Sequence, residues 1–466
     1  MEGNPGMLRN SKKRVRAVVV SFALAGVSVA LMGMGHRPPH VYIFPPDFIW
    51  GAATSSYQVE GGNTLDDWYQ WEQMGHTKDH AGKADDEYHL YPEDLDLAQK
   101  LNLNVFRMSI EWSRIEPEQG VFDDKEIEHY REELQAAHDR GLKTFVTLHH
   151  WTNPIWAANQ GGWTNDQMPE WFAEYVARVV PALGDLVDDW LTINEPNVNV
   201  LEGYLMGIVP PGEQDITKAP IALAEYLKAH ARAYHIIHHY FPNAKVSFAH
   251  HVRVFDPSSG WNPLDRLAAS FIDDFWNHQL IRSIQSGDIH FSIPFVINYH
   301  EVVPELKGTL DFLGLNYYTR EMIKFDMNSP IKIDPYENPD PKVGHGDNGD
   351  EIYPEGLHRM LLAMSGYGLP IYITENGVAD AADTKRAQFI CDHLKAIGDA
   401  MEDGVDVRGY IHWALIDNYE WVRGFQDRFG LIDVDYSTEA RYIRSSAELF
   451  SRIAASNSLE ACKLSP

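Results

Sequence analysis

The chain has 466 residues, 44% apolar and 23% charged, and carries a formal charge of −28. That length allows two or three average domains or one large α/β barrel with insertions, and the composition is that of a globular protein with a large core. The acidic balance argues against nucleic acid, whose phosphates select basic surfaces, and says little about fold.

The N-terminus is unlike the rest. Arg9, Lys12, Lys13, Arg14 and Arg16 precede an uncharged stretch from Ala17 to Met34. At ~18 residues this stretch exceeds the ~7–15 of a signal-peptide core and meets the short limit for a membrane span. The basic flank predicts an N-in orientation and an extracytoplasmic body. Ser28-Val29-Ala30 offers a small-x-small cleavage site. Residues 1–35 therefore read as a basic flank plus a signal peptide or an uncleaved signal anchor, with a short linker at 36–43. In the anchored form, residues 17–34 would associate with the membrane and hold the body close to it.

From Phe48 onward, short apolar runs rich in β-branched and aromatic residues alternate with stretches of helical period. The expected strands are 48–57, 105–112, 143–149, 188–194, 244–252, 311–318, 371–374 and 407–416. Helices are expected from Lys125 to Arg140, from Pro263 to Ser286 and from Asp383 to Asp403, each stopped by a glycine (Gly141, Gly287, Gly404). Eight strands alternating with helices predict a single (β/α)8 TIM barrel with long βα loops over residues 44–455, followed by a C-terminal tail at 456–466. A doubly wound open sheet is the rival. Its Gly-rich phosphate turn is absent, because Gly51-Ala52-Ala53 lacks the GxGxxG form. The Pro/Asp/Gly-rich stretch from Ser329 to Gly356 is too long for a turn and reads as part of the rim around a site.

Cys391 and Cys462 are the only cysteines, and a bridge between them neither follows from the sequence nor is excluded by it. His235, His238 and His239 share a helix at spacings able to chelate, yet packed or exposed helix histidines are the commoner outcome. No CxxC or HExxH pattern appears, so no metal is assigned.

In barrels of this kind the chemistry collects at the C-terminal ends of the strands. Those ends hold Gln58, Arg107, His150-Trp151, Asn194-Glu195, Asn316-Tyr317-Tyr318, Glu375 and Trp413 through Trp421. Amides, imidazole, phenols and indoles suit a polyol ring, which needs directional hydrogen bonds and an aromatic face. Two glutamates stand at matching strand ends, in Thr192-Ile193-Asn194-Glu195-Pro196 and Ile373-Thr374-Glu375-Asn376-Gly377. Glycosidic cleavage needs two carboxyls on opposite sides of one sugar carbon, ~5–5.5 Å apart for retention and ~6.5–9.5 Å for inversion. Spacing in the sequence does not choose between them. Arg107, expected near Glu375 on the barrel floor, would favour the ionised form that a nucleophile needs.

These motifs resemble glycoside hydrolase family 1, the β-glucosidase family, from about Phe44 to about Phe450. The likeness is carried by Phe48 to Gln58, Phe106 to Arg114, His150-Trp151, Thr192 to Asn197, Leu315 to Thr319, Ile373 to Gly377, and Trp413 through Gly430. The resemblance implies a retaining (β/α)8 enzyme in which Glu195 is the acid/base and Glu375 the nucleophile. Arg107, Tyr318 and Asn316 would support the nucleophile. Gln58, His150, Asn194, Glu420 and Trp421 would bind the sugar hydroxyls, with Asn194 at the 2-hydroxyl. Trp413 would form the platform under the ring, and Phe429 an aromatic wall near the 6-hydroxyl.

Glu420 stands where the family's 6-phospho-glycosidases usually carry serine, and a carboxylate would repel phosphate. Glu195 stands where its thioglucosidases carry glutamine. Both point to unphosphorylated O-linked β-glycosides: glucosides first, with galactosides and fucosides as the extension. Trp151-Thr152-Asn153-Pro154 and the region from Asn63 to Glu87 depart from the common wording, which bears on the leaving group rather than the mechanism. No cofactor is implied, and the sequence assigns no oligomeric state. The alternative is a catalytically inactive sugar- or protein-binding ectodomain of the same fold, but such relatives typically lose one carboxylate.

Overall fold

A computed structural model describes residues 41–293, 296–329, 331–340 and 342–463. The signal or anchor segment expected at 1–35 lies outside the described residues. Among the described residues no helix is long and apolar enough to cross a membrane.

Eight strands form the barrel: β1 (Ile49–Ala53), β2 (Val105–Ser109), β3 (Lys143–Thr147), β4 (Asp189–Asn194), β5 (Lys245–Pro257), β6 (Leu313–Phe325), β7 (Ile371–Asn376) and β8 (Val407–Trp413). Each is parallel to the next, and β8 pairs with β1 to close the ring. Helices follow the strands and cover the outside, so β1, β2, β4 and β7 are buried along their whole length. This explains their continuous apolar wording.

The inner faces meet in one core that includes Val105, Phe145, Leu191, Phe312, Tyr372 and Ile411. The Tyr372 ring lies 5.6 Å from Phe145 and 5.1 Å from Phe312, centroid to centroid. Side chains alternate along a strand, so the period of two that turns Val105 into this core also turns Arg107 inward, one step nearer the C-terminal rim. A charged side chain is thereby delivered to the centre of the barrel.

Three differences from the sequence reading matter for the site. First, β1 ends at Ala53, and a short helix, Ser56–Val59, carries Gln58. Second, β5 and β6 run 13 residues each, beyond the expected ends at 252 and 318. Their outer parts stay paired from Val254 with Arg320 to Pro257 with Ile323, and β6 then folds back on the antiparallel strand Ile333–Tyr336. Mutual pairing satisfies backbone groups that would otherwise end at the rim. Third, the helix expected over 263–286 is broken by a wide turn at Asp274–His278. Asn277 occupies that turn: its Oδ1 accepts from the Arg253 N–H at 2.9 Å and its Nδ2 donates to the Arg253 carbonyl at 2.7 Å.

Opposite the site, the two ends of the barrel unit are tied together. Phe44 N–H donates to the Asn457 carbonyl, and the Asn457 amide returns to the Phe44 and Pro45 carbonyls. Cys391, on the helix Arg386–Glu402, is bonded to Cys462 on the short helix Leu459–Lys463. The stretch set apart as a tail thus packs on the barrel through residue 463. His235 and His238 bond the carbonyls of Glu305 and Tyr234.

Candidate active site

A cavity of about 180 Å³ opens at the C-terminal end of the barrel. Its lining includes Gln58, His150, Asn194, Glu195, Tyr318, Glu375, Trp413, Glu420, Trp421 and Phe429. Every expected substrate contact and both glutamates are therefore on one wall or another. Arg107 and Asn316 lie behind that surface, fully buried.

Glu375 ends β7 as an acceptor held from two sides. Arg107 Nη1 donates to its Oε1 at 2.7 Å and Tyr318 Oη to its Oε2 at 2.6 Å. The same guanidinium donates to the Thr374 carbonyl at 2.8 Å and to Asn194 Oδ1 at 2.7 Å, linking β2, β4 and β7. Burial and the charge of Glu375 push the Tyr318 phenol far up, so it stays a donor. After Glu375 the chain passes so close to β8 that a Cβ on Gly377 would overlap the Trp413 carbonyl oxygen. The glycine in this motif is a packing requirement.

Glu195 has a different environment. Burial, then the charge of Glu375, holds its carboxyl well above the ordinary range, opposed by a hydrogen bond from Asn316 and by Arg107. Asn316 Nδ2 donates to Glu195 Oε1 at 2.9 Å and to Asn194 Oδ1 at 3.2 Å, while its Oδ1 accepts from Thr374 Oγ1 at 2.7 Å. Asn316 was expected to support the nucleophile; it stands beside Glu375 in register, while its amide nitrogen faces Glu195 because Thr374 takes up its oxygen. The Glu195 backbone is left-handed, at φ 46° and ψ 56°, where β4 turns into the short helix Pro196–Val200. Its N–H donates to the Ala249 carbonyl of β5 at 2.8 Å, which fixes the turn.

The remaining wall is polar and aromatic. Gln58 accepts from Ser55 Oγ at 2.6 Å and donates to Asn418 Oδ1 and the Tyr419 carbonyl, both at 3.0 Å, so its amide is held in one orientation. Burial and the neighbouring Arg107 keep His150 well below the usual imidazole range, hence neutral. Its ring stacks 6.0 Å from Trp413, whose Nε1 donates to Glu420 Oε1 at 3.3 Å.

Burial pushes Glu420 up to about 8, with Asp427, Glu375 and Asp417 adding to the rise. Near neutrality this side chain therefore favours its carboxylic acid form. Disfavour of phosphate then rests on its acidic neighbours rather than on its own charge. Arg423, a nearby cation, is already paired with Asp427.

The sequence reading missed His251, Arg253 and Asp350, which also line the cavity. The first two alternate with apolar residues on β5; His251 lay inside the expected strand without being singled out, and Arg253 was cut off by ending that strand at 252. Asp350 belongs to the long stretch read as rim, and it reaches the cavity as that reading requires.

The comparisons with known proteins agree with this geometry. The model of glycosyl hydrolase family 1 matches residues 40–459. The chain is 34% identical over 444 residues to beta-glucosidase A of Thermotoga maritima, covering 90% of this chain and 99% of that relative. It is 31% identical over 503 residues to a beta-galactosidase of Pyrococcus woesei, covering 89% and 98%. Among solved structures, a beta-glycosidase from Pyrococcus horikoshii matches with a TM-score of 0.84 at 37% identity, over 90% of this chain and 96% of that one. A Thermotoga maritima beta-glucosidase in complex with glucoimidazole matches with a TM-score of 0.84 at 32% identity, over 89% and 99%.

Proposed function

The chain belongs to glycosyl hydrolase family 1, and on that premise we propose a retaining exo-β-glycosidase that hydrolyses unphosphorylated O-linked β-glucosides, with β-galactosides and β-fucosides as further substrates. The observation that carries the reading is the contrast between the two carboxyls. Glu375 is clamped by a guanidinium and a phenol, while burial and the charge of Glu375 push the Glu195 carboxyl well above its ordinary range, toward the protonated form. In the first step a Glu375 oxygen bonds to the anomeric carbon as the glycosidic C–O bond breaks, and Glu195 gives its proton to the departing oxygen. In the second, Glu195 takes a proton from water, whose oxygen displaces Glu375 and releases the sugar. Gln58, His150, Asn194, Glu420 and Trp421 bind hydroxyls, Trp413 supports the ring, and Phe429 closes the side near the 6-hydroxyl. An inactive binding role has no observation in its favour, since both carboxyls stand in one cavity.

Glu375→Gln should abolish turnover of a nitrophenyl β-glucoside, and near-wild-type turnover would overturn the assignment. Glu195→Ala should slow poor leaving groups far more than activated ones, with azide partly restoring the rate.

Export of the body is also part of this reading. The basic flank and the uncharged stretch 17–34 support it, and so does the Cys391–Cys462 bond, which suits an oxidising compartment. Cell fractionation with N-terminal sequencing checks both export and cleavage. Recovery of the full-length chain in the cytoplasm would contradict it.

A further inference from the structure

Two stretches that the sequence assigns to the leaving group, Asn63 to Glu87 and Trp151 to Pro154, meet each other in the fold. Asn153 N–H donates to Asp67 Oδ1 at 2.9 Å, and Asn153 Nδ2 donates to Asp67 Oδ2 at 2.7 Å. The Asp67 N–H returns to the Asn153 carbonyl at 2.9 Å, and Ile155 N–H donates to the Leu65 carbonyl at 2.9 Å. Asp67 and Asn153 are both buried, and neither lines the catalytic cavity.

This clasp holds the turn that follows β3. Trp151 has a left-handed backbone there, at φ 74°, a strained state that persists only where its surroundings fix it. The next two residues supply that constraint. Thr152 Oγ1 donates to both oxygens of Glu111, at 3.1 and 2.8 Å. Asn153 Oδ1 accepts from Trp163 Nε1 at 2.9 Å and lies 3.0 Å from His149 Nε2. His150 and Trp151, carried on this turn, both line the cavity.

The residue after Asp67 reaches a further side chain of the site. Both belong to the short helix Asp67–Gln73, and the buried Trp68 ring lies 4.5 Å from that of Trp421. Trp151 stacks on Trp421 at 5.1 Å, Tyr57 lies parallel to it at 6.1 Å, and His150 follows at 6.3 Å. Trp421 itself begins a three-residue turn at φ 52°, so rings rather than regular backbone hold its indole. A shift of the Asp67 helix would move Trp68 and loosen the Trp151 turn together, displacing Trp421 from two sides.

The clasp is also specific in its chemistry. Both Asp67 oxygens face donors on Asn153, and an amide at position 67 would set one N–H against another. Exchanging the two residues restores the match. The amide then donates from position 67, and a carboxylate at position 153 accepts from it and from Trp163.

Building on the glycosidase reading above, we propose that Asp67 is a positioning residue for the attacked sugar: through Asn153 it sets the turn that bears His150 and Trp151, and through Trp68 it sets Trp421. The two stretches thereby govern the sugar under attack rather than the group that leaves.

The test follows a nitrophenyl β-glucoside at pH 8, above the value of about 7 to which burial raises Asp67, with active sites counted by a 2-fluoroglucosyl inactivator. In Asp67→Asn, kcat/KM should fall roughly 10- to 100-fold, the cost of a displacement of about 1 Å at a positioned contact. In a Trp421→Phe background the same change should cost at least about threefold less, because residues that act through one another are not additive. Adding Asn153→Asp to Asp67→Asn should bring activity back to within about fivefold of wild type, since each donor again meets an acceptor. A merely structural role would cost the same factor in both backgrounds, and it would leave the exchanged pair no better than Asp67→Asn alone; either result overturns the proposal. Should Asp67→Asn fail to fold, Trp68→Phe is read in the same two backgrounds: a smaller loss beside Trp421→Phe supports the proposal, and an equal loss, or none, overturns it. Absence of turnover by the wild-type enzyme would instead overturn the glycosidase reading.

Discussion

Asn316→Ala isolates how the protonated carboxyl is tuned. The Asn316 amide donates to Glu195 Oε1 at 2.9 Å and lowers a group that burial and Glu375 push up. Deleting the donor raises Glu195 further. A hydrogen bond to a charged group is worth about 1.5–3 kcal/mol, and a pKa unit corresponds to about 1.4 kcal/mol, so the limit is a rise of about 1–2 units. Water entering the vacated wall would replace part of that donor, which brings the expected rise to about 0.5–1.5 units. Glu195 must be protonated to expel the leaving group, so kcat/KM declines on the alkaline side as its proton is lost. The basic limb of the pH profile should therefore move to higher pH by that amount, measured with a disaccharide or another poor leaving group. The limb belongs to the coupled carboxyl pair rather than to one residue, but its direction follows from Glu195. A plateau that falls while the limb stays in place, or moves to lower pH, would refute the reasoning.

Stability should also depend on pH. Glu87 and Glu133 are buried against each other, and burial followed by Glu60 pushes Glu133 up to about 8. A carboxyl raised in the folded state contributes stability that is present below its unfolded value, near 4.3, and lost as pH rises through about 8. Glu133→Gln should match the wild-type melting temperature at pH 5 and exceed it by several degrees at pH 8, as read by calorimetry. Replacing both Cys391 and Cys462 by serine opens a cross-link between positions 71 apart. It should cost roughly 4 kcal/mol in denaturant unfolding, with nitrophenyl turnover at 25 °C within about twofold of wild type. Glu420→Ser should lower kcat/KM for glucosides at least about tenfold through loss of a charge-capable hydrogen bond. It should bring no activity on 6-phosphoglucosides, because Arg423 remains committed to Asp427.

Much of this site could be read from the chain because barrel strands end in sequence order around one rim. Glu195, Glu375, His150 and Trp413 announce themselves at the ends of apolar runs, and the cavity gathers all four. What could not be read depends on contacts between distant segments. The Asn316 amide turns to Glu195 because the Thr374 hydroxyl claims its oxygen, 58 residues away. The length of β5 depends on β6 continuing beside it, and so on a hairpin formed by residues 333–336. Arg253 therefore fell outside the strand that carries it. The Cys391–Cys462 bond depends on where the C-terminal turn lands on a helix, which no local pattern encodes.

The left-handed backbone at Glu195 has a consequence for how this protein ages under mutation. A non-glycine residue held there costs of order 1–3 kcal/mol, sustained by the packing around it. Glycine would relieve the cost and remove the acid in one substitution. Catalysis and foldability therefore pull against each other at a single codon. A copy released from selection for turnover would drift toward a sturdier protein that no longer cuts sugars, with the barrel and the cavity walls intact.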